Sequence, residues 1–274
     1  MNIVSFSTGL SSALTVERVV SRYGAGDTRI VFMDTRIEDD DNYRFMRDCS
    51  VRWGNKYGVG IEIITEGRTP YQVFIDQHII PNNRVAPCTQ RLKIEMFVKW
   101  MKETFGVNNP DVTIHIGYDF SEAHRTVATK RNYNAFGWNV DFPLMWKPIE
   151  TRDYATVVKQ DWGVEAPRMY SMGYSHANCG GRCVKQGKND WLRTLKMFPE
   201  RYAEIEQWEQ DMRLNPVNAK YTIVARVKQG AKIPITLKQL REEYEFKTEI
   251  SLLDFENETC VVCGVGDISE GLTT

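Results

Sequence analysis

The sequence predicts an α/β fold, a parallel sheet with helices on both faces, followed by a helical, cysteine-containing C-terminal extension. Short β-branched runs alternate with segments whose apolar residues recur at helical spacing. A loop rich in serine and glycine separates the first such run from the first helical segment. The length of 274 residues, 42% of them hydrophobic, suits one large α/β domain with a small appendage.

The first half of the chain reads as alternating strands and helices. Strands are predicted at four β-branched or apolar runs, residues 2–6, 29–33, 61–64 and 112–116. Helices are predicted between them, at residues 13–23, around residues 43–46, and at residues 71–77 and 94–105. This alternation favours a Rossmann-like parallel sheet, in which ligands bind at the carboxyl ends of the strands.

The second half changes in composition and becomes richer in tryptophan, glycine and cysteine. A long helical pattern covers residues 189–212, and Pro199 is expected to start or kink a helix there. Strand-like runs and a short helix follow. We therefore predict an α/β domain over residues 1–174 and a cysteine-containing helical extension and tail over residues 175–274, packed on the first domain.

The charge balance restricts the classes of partner. Lysine plus arginine (35) and aspartate plus glutamate (36) nearly cancel, which gives no reason to expect a large nucleic-acid or membrane surface. The N-terminal apolar stretch is too short for a signal peptide, and the apolar runs are too short for a membrane span. We expect a cytoplasmic protein without a membrane partner, whose six cysteines are not a disulfide scaffold.

The loop after the first predicted strand has the composition of an anion site. A helix N-terminus presents unpaired N–H groups and a positive dipole end to an anion, and hydroxyl groups add donors. The same residue types also serve as simple helix N-caps, and the Gly-Lys-Ser/Thr of a Walker A loop is absent. The candidate nucleotide-binding residues here are Ser5, Ser7, Thr8, Gly9, Ser11 and Ser12.

This loop resembles the PP-loop, Ser-Gly-Gly-x-Asp-Ser, in the looser form of the PAPS reductase-like family within the PP-loop (adenine nucleotide alpha hydrolase-like) superfamily. Gly9 and Ser12 match the motif, whereas Thr8 and Ser11 depart from it. Ser11 stands where ATP-pyrophosphatase members carry aspartate, which weakens the case for magnesium-dependent ATP cleavage. The resemblance implies that residues 1–174 bind an adenine nucleotide (ATP, APS or PAPS), with Mg²⁺ as an optional cofactor.

Three further segments resemble motifs of the same family. Two of them are in the first domain, and the third is the predicted helix that contains Phe198-Pro199-Glu200-Arg201-Tyr202. Asp34 and Thr35 lie in a segment similar to Asp-Thr-Gly-x-Glu, which implies contact with the adenosine; Asp34 could equally cap its loop. Gly117 and Arg125 lie in a segment similar to Gly-x-Arg-x-x-Glu-Ser-x-x-Arg. The resemblance places the Arg125 guanidinium against phosphate or sulfate oxygens; the alternative is a surface ion pair with Glu122.

The cysteines resemble the ligands of the family's iron–sulfur members. Cys88 stands in a segment similar to Cys-Cys-x-x-x-Lys, and Cys179 and Cys183 stand where those members carry Cys-x-x-Cys, here one residue longer. The resemblance implies a 4Fe–4S cluster, with zinc as the alternative, ligated by these three residues and by Cys260 or Cys263. Cys49, inside a predicted helix, is expected to be a buried apolar residue.

Cys263 has a competing use as a nucleophile. Cys263-Gly264 is similar to the Cys-Gly-x-His near the C-terminus of sulfonucleotide reductases, although the histidine is missing. In that family the thiolate attacks the sulfate sulfur, and a thioredoxin-like reductant then releases sulfite. The resemblance therefore implies a catalytic set of Cys263, Arg125 and Ser11.

Three functions follow from the resemblance. The first is a sulfonucleotide reductase-like enzyme acting at the α-phosphate of APS or PAPS. The second is an ATP-pyrophosphatase-type enzyme that inserts sulfur into an RNA or DNA acceptor. The third is a non-catalytic, metal-bound nucleotide sensor, which would bind the nucleotide without turnover.

Overall fold

The computed structural model describes residues 1–147, 153–177, 179–228 and 231–257. The chain divides into two compact units, Met1–Gln186 and Gly187–Thr274. The first unit includes Cys179 and Cys183, which the sequence-based division assigned to the extension.

The first unit is built on a five-stranded sheet in which all neighbouring strands are parallel, as predicted. The strands are β1 (Asn2–Phe6), β2 (Thr28–Asp34), β3 (Ile61–Thr65), β4 (Thr113–His115) and β5 (Asn139–Asp141). Their order across the sheet is β3-β2-β1-β4-β5. Because the order reverses between β1 and β4, the connections that leave these two strands diverge and open a crevice at their carboxyl ends.

Helices cover both faces of the sheet because alternate strand residues point to opposite sides. Val4 and Phe6 of β1 join one apolar core, whereas Ile3 joins the other. The helices of this unit are α1 (Leu10–Tyr23), α2 (Asp40–Tyr57), α3 (Pro70–Asp76), α4 (Met96–Phe105), α5 (Thr126–Asn134), α6 (Tyr154–Trp162) and α7 (Arg168–Ser171). The predicted Rossmann-like α/β arrangement is confirmed for this unit.

A π-helical segment, Thr89–Glu95, leads directly into α4. The sequence pattern predicted only a helix over residues 94–105. In a π-helix the backbone hydrogen bonds join residues that are five apart along the chain. Cys88 and Lys93 have the same spacing. Cys88 is the N-cap residue, immediately before this segment.

The second unit contains three helices and a hairpin within its described residues. They are α8 (Lys188–Met197), α9 (Pro199–Arg213), the antiparallel pair β6 (Val224–Lys228) and β7 (Ala231–Ile235), and α10 (Leu237–Asn257). Pro199 starts α9, as its fixed backbone angle and missing N–H group predict. The buried carboxylate of Glu209 accepts hydrogen bonds from the amides of Ile223 (2.9 Å) and Leu237 (2.6 Å), which ties α9 to the hairpin and to α10.

Within the described ranges, no helix has both the length and the apolar character needed to cross a bilayer.

Candidate functional site

The loop between β1 and α1 is closed on itself by Ser12. The Ser12 hydroxyl accepts a hydrogen bond from the Ser7 amide (3.1 Å) and donates one to the Gly9 carbonyl (2.8 Å). Thr8 is fully buried at a φ of 59°, and its hydroxyl donates to the Ser7 carbonyl (2.6 Å). These side chains therefore shape the loop, and the start of α1 follows directly from it.

The two remaining predicted residues of this segment lie on either side of the loop. Ser5 is within β1, beside Val31 of β2. Ser11 is in the first turn of α1, where its carbonyl accepts a hydrogen bond from the Thr15 hydroxyl (2.8 Å).

Gly117 brings the connection after β4 against the start of α1. A Cβ atom at Gly117 would lie 3.0 Å from the carbonyl carbon and oxygen of Ser11 and from the Cα of Ser12. A Cβ so close to backbone atoms would force the backbone of Ser11 and Ser12 to shift by a few tenths of an ångström, so glycine fits this position best. The close approach places residues 7–12 and Gly117 on the two sides of the crevice between β1 and β4.

Tyr170 reaches this crevice from α7. Its hydroxyl accepts a hydrogen bond from the Leu10 amide at the start of α1 (3.3 Å) and one from the Ala177 amide. Burial raises the pKa of the Tyr170 phenol. This effect outweighs the hydrogen bonds from the two amides, which lower that pKa. Tyr170 thus joins the start of α1 to the chain just before Cys179. The sequence reasoning missed Tyr170, which lies in a four-residue helix without a recognisable motif.

The segment after β2 is held by its own side chains. Asp34 accepts hydrogen bonds from the Arg36 amide (2.8 Å) and from the Tyr43 hydroxyl (2.6 Å), which is the capping alternative predicted for it. Arg36 has a φ of 60°, so the chain turns sharply here. Thr35 donates a hydrogen bond to the Glu38 carboxylate (3.0 Å).

Arg125 follows β4 and is about half exposed. Its guanidinium is ion-paired to Glu122 and lies 4.2 Å from the centre of the Tyr118 ring. This is the ion-pair alternative predicted from the sequence. Glu122 contacts Nη1 of Arg125, and the other N–H groups of this half-exposed guanidinium could donate to a phosphate or sulfate oxygen.

Three of the predicted metal ligands lie in one neighbourhood. Cys88, Cys179 and Cys183 are all half-buried, and the side chains of Cys179 and Cys183 affect each other's pKa. The interaction with Cys183, together with burial, raises the pKa of Cys179. The interaction with Cys179, together with the amide of Lys185, lowers the pKa of Cys183 and outweighs the effect of burial. Burial raises the pKa of Cys88.

The backbone at Cys179 is a left-handed turn. Cys179, Gly180 and Gly181 have φ values of 44°, 53° and 82°, and the Arg182 amide donates to the Cys179 carbonyl (2.9 Å). A left-handed conformation is unfavourable for cysteine, so the hydrogen bonds around the turn must hold it in place. One of them runs from the Tyr71 hydroxyl to the Arg182 carbonyl (2.8 Å).

Glu38 and Lys93 link the segment after β2 to the cysteines. The Glu38 carboxylate is buried, accepts a hydrogen bond from the Cys179 amide (3.3 Å), and lies 3.5 Å from the Lys93 ammonium. Burial lowers the pKa of Lys93, but its electrostatic interactions with Glu38 and with the three cysteines outweigh burial and raise that pKa. A positive charge therefore lies beside all three thiols.

The described residues test the predicted metal centre only in part. Among the described residues, no group of three or more histidine, cysteine, aspartate or glutamate side chains converges so as to hold one. The two proposed alternatives for a fourth ligand, Cys260 and Cys263, lie outside the described residues. Iron–sulfur or zinc ligation therefore stays a prediction, and so does the catalytic role of Cys263.

Comparisons with known proteins leave the activity open. No family model matches the chain. Over 141 residues, the chain is 32% identical to the uncharacterized nin region protein ORF290 of Escherichia phage lambda, with 43% of this chain and 49% of that protein covered. The chain thus aligns with about half the length of this curated relative, whose name states no activity.

Cys49 is fully buried in α2, as predicted, and burial raises its pKa. It belongs to the same apolar core as Val4 and Phe6 of β1. It is therefore separate from the half-buried group formed by Cys88, Cys179 and Cys183.

Proposed function

We propose that this chain is a cytoplasmic enzyme that binds an adenine nucleotide in the crevice between β1 and β4 and acts at its α-phosphate. The observation that carries the proposal is the packing of Gly117 against the backbone of Ser11 and Ser12. It presses the loop after β4 against the start of α1 at the point where the strand order reverses. In open parallel sheets, ligands bind at such points, and phosphates favour the N-terminus of the adjoining helix.

The reaction we propose is sulfonucleotide reductase-like sulfur chemistry. A cysteine thiolate attacks the sulfur of APS or PAPS, the sulfur–oxygen bond to the phosphate breaks, and AMP or its 3′-phosphate leaves. A thioredoxin-like dithiol then releases sulfite from the protein thiosulfonate and is itself oxidised to a disulfide. The similarity of residues 5–12, 32–38 and 117–125 to the PAPS reductase-like family supports this proposal.

Residues near the crevice would orient the nucleotide. Ser7, which is exposed, and Ser11, in the first turn of α1, are the hydroxyl residues nearest the proposed phosphate position. The hydroxyls of Thr8 and Ser12 and the amide of Leu10 already donate hydrogen bonds within the protein, and they shape the loop. Arg125 would contribute its positive charge through the N–H groups that Glu122 does not contact.

The test is turnover of three nucleotides by protein purified without oxygen. ATP, APS and PAPS are each incubated with Mg²⁺, a dithiol and the protein, and the products are separated by chromatography. AMP or adenosine 3′,5′-bisphosphate together with sulfite is the expected result. AMP and pyrophosphate from ATP, alone or with an RNA or DNA acceptor, would replace the proposal with the sulfur-insertion reaction. Binding without turnover of any nucleotide would replace it with the sensor.

The location of the site is tested separately with Ser12→Ala. Loss of two hydrogen bonds that shape the loop should weaken nucleotide binding about 5- to 30-fold, as expected for roughly 1–2 kcal/mol. Ser21→Ala is the matched control, since Ser21 is on the same helix but bonds the Tyr57 hydroxyl far from the loop. Equal binding by wild type and Ser12→Ala in calorimetry would place the nucleotide elsewhere.

A further inference from the structure

We propose that a cleft beside the second half of α1 binds a small phosphate monoester. The cleft is open to solvent and has a volume of about 390 Å³. It is lined by three cationic residues, a tryptophan, a glutamate and a serine, which are Arg18, Arg22, Lys147, Trp146, Glu17 and Ser21. Arg22 lies roughly 18 Å along the helix axis from Leu10, at about 1.5 Å per residue. The inference therefore does not depend on the proposed nucleotide crevice.

The cleft carries an excess of positive charge. The carboxylate that lines it, Glu17, is already ion-paired to the ammonium of Lys56 on α2 (2.6 Å). Among the described residues, no carboxylate forms an ion pair with Arg18, Arg22 or Lys147. An anion in the cleft would therefore meet three cations whose charges no described acidic group neutralises.

Arg18 is the most buried of the three cations. Its Nη1 atom donates a hydrogen bond to the Pro143 carbonyl (2.8 Å), which fixes the guanidinium at the wall of the cleft. Burial lowers the pKa of Arg18, and this effect outweighs the interaction with Tyr154, which raises that pKa. The direction is the one expected for a partly buried cation that lacks a carboxylate partner. An anion held by its other N–H groups would offset the cost of this burial.

Trp146 gives the cleft a fixed aromatic wall. Its Nε1 atom donates a hydrogen bond to the Asp141 carboxylate (2.8 Å), and its ring packs edge-on against Tyr23, with centroids 6.1 Å apart. The guanidinium of Arg22 lies 4.5 Å from the centre of the Trp146 ring. Stacking of this kind orients a planar guanidinium, whose N–H edge can then donate to phosphate oxygens.

Charge and volume together define the class of ligand. A phosphate monoester carries about two negative charges near pH 7 and three acceptor oxygens, which suit two guanidinium groups and an ammonium group. Clefts of about 300–1,000 Å³ are the size that holds small organic molecules, and a bare phosphate ion would leave most of this one empty. The organic part of the ligand would pack on the apolar surface of Trp146.

The experiment measures the binding of phenyl phosphate to the full-length protein by calorimetry, beside inorganic phosphate and phenol. Phenyl phosphate should bind more tightly than either, because it contacts both the cations and the indole. Arg22→Gln and Lys147→Gln should each weaken its binding by about 10-fold or more, as expected for the loss of a charge-assisted hydrogen bond. Arg47→Gln is the matched control, since Arg47 is an exposed arginine on α2 outside the cleft.

Arg22 and Lys147 are exposed, so both variants should keep the wild-type circular dichroism spectrum and unfolding temperature. Absence of phenyl phosphate binding to the wild-type protein would overturn the proposal. Equal binding by the wild type and both cleft variants would place the phosphate elsewhere, and inorganic phosphate that binds as tightly as phenyl phosphate would reduce the site to one for the bare ion. A 5′-phosphorylated oligonucleotide that binds more tightly than phenyl phosphate would replace the small molecule with the end of a nucleic acid.

Discussion

The hydroxyl of Tyr170 lies 3.3 Å from the amide nitrogen of Leu10 and accepts its hydrogen bond. Because the same oxygen also accepts from the Ala177 amide, one side chain joins the proposed phosphate loop to the segment that leads into Cys179. The Asn42 side chain donates to the carbonyl of Ala177 and adds a second connection, to α2. The candidate nucleotide crevice and Cys179 are thus neighbours within one unit of the chain.

Tyr170→Phe should lower the free energy of unfolding by about 1–2 kcal/mol, since two backbone amides lose their acceptor. Urea denaturation followed by circular dichroism measures the change. Tyr23→Phe is the control, because the contacts described for Tyr23 involve its ring. A Tyr170→Phe protein as stable as wild type would mean that water replaces the hydroxyl at no cost.

Gly117→Ala should destabilise the protein by about 1–3 kcal/mol and weaken nucleotide binding, because the new methyl group would press on the backbone of Ser11 and Ser12. Gly60→Ala is the matched control, since a Cβ at Gly60 would meet nothing within 4 Å. Thermal unfolding and calorimetric titration with nucleotide give the two measurements. If both variants behave alike, the contact at Gly117 is not the constraint that we infer.

Much of the fold could be predicted because it depends on local patterns. The strands at residues 2–6 and 61–64 are β-branched runs, and the structure has them as β1 and β3 with a boundary error of at most one residue. β5 could not be predicted in this way. It has three residues, Asn139–Asp141, and is a strand because its neighbour β4 offers hydrogen-bonding partners, which is a tertiary effect.

The candidate site was predictable only in part. The short spacing between Cys179 and Cys183 predicted two metal ligands; the structure has both half-buried in the first unit, and their ligation of a metal stays a prediction. The roles of Tyr170 and Glu38 could not be read from the sequence, since each contacts residues far away along the chain. The position of Lys93 beside the cysteines could not be predicted either, because the π-helical turn that contains it has no sequence pattern we could recognise.

Cys183 should be alkylated faster than Cys88 at pH 7.5. The side-chain interaction with Cys179 lowers the pKa of Cys183, with help from the Lys185 amide and from the charges of Lys93 and Lys185, whereas burial raises the pKa of Cys88. A group with a lowered pKa keeps its thiolate to lower pH, so the rate profile of Cys183 should inflect below that of Cys88. Iodoacetamide labelling with peptide mass spectrometry resolves the two rates.

Lys93→Gln tests the electrostatic part of this argument. Removal of the positive charge should move the inflection of Cys183 to higher pH and slow its alkylation at pH 7.5. Lys99→Gln is the control, because Lys99 is on α4 and interacts with Glu103. An unchanged profile in Lys93→Gln would show that the side-chain interaction with Cys179 alone sets the reactivity of Cys183.

Acid should destabilise the first unit through His115. This side chain is fully buried, its Nε2 lies 2.9 Å from the Asn2 side-chain oxygen, and burial lowers its pKa to about 4. Since the unfolded chain binds a proton near pH 6.5 and the folded chain does not, the unfolding free energy should fall by about 2 kcal/mol between pH 6.5 and 5, a range above ordinary carboxylate titration. Urea denaturation of wild type and His115→Gln across this range measures the effect. A parallel loss in the variant would assign the acid sensitivity to other groups.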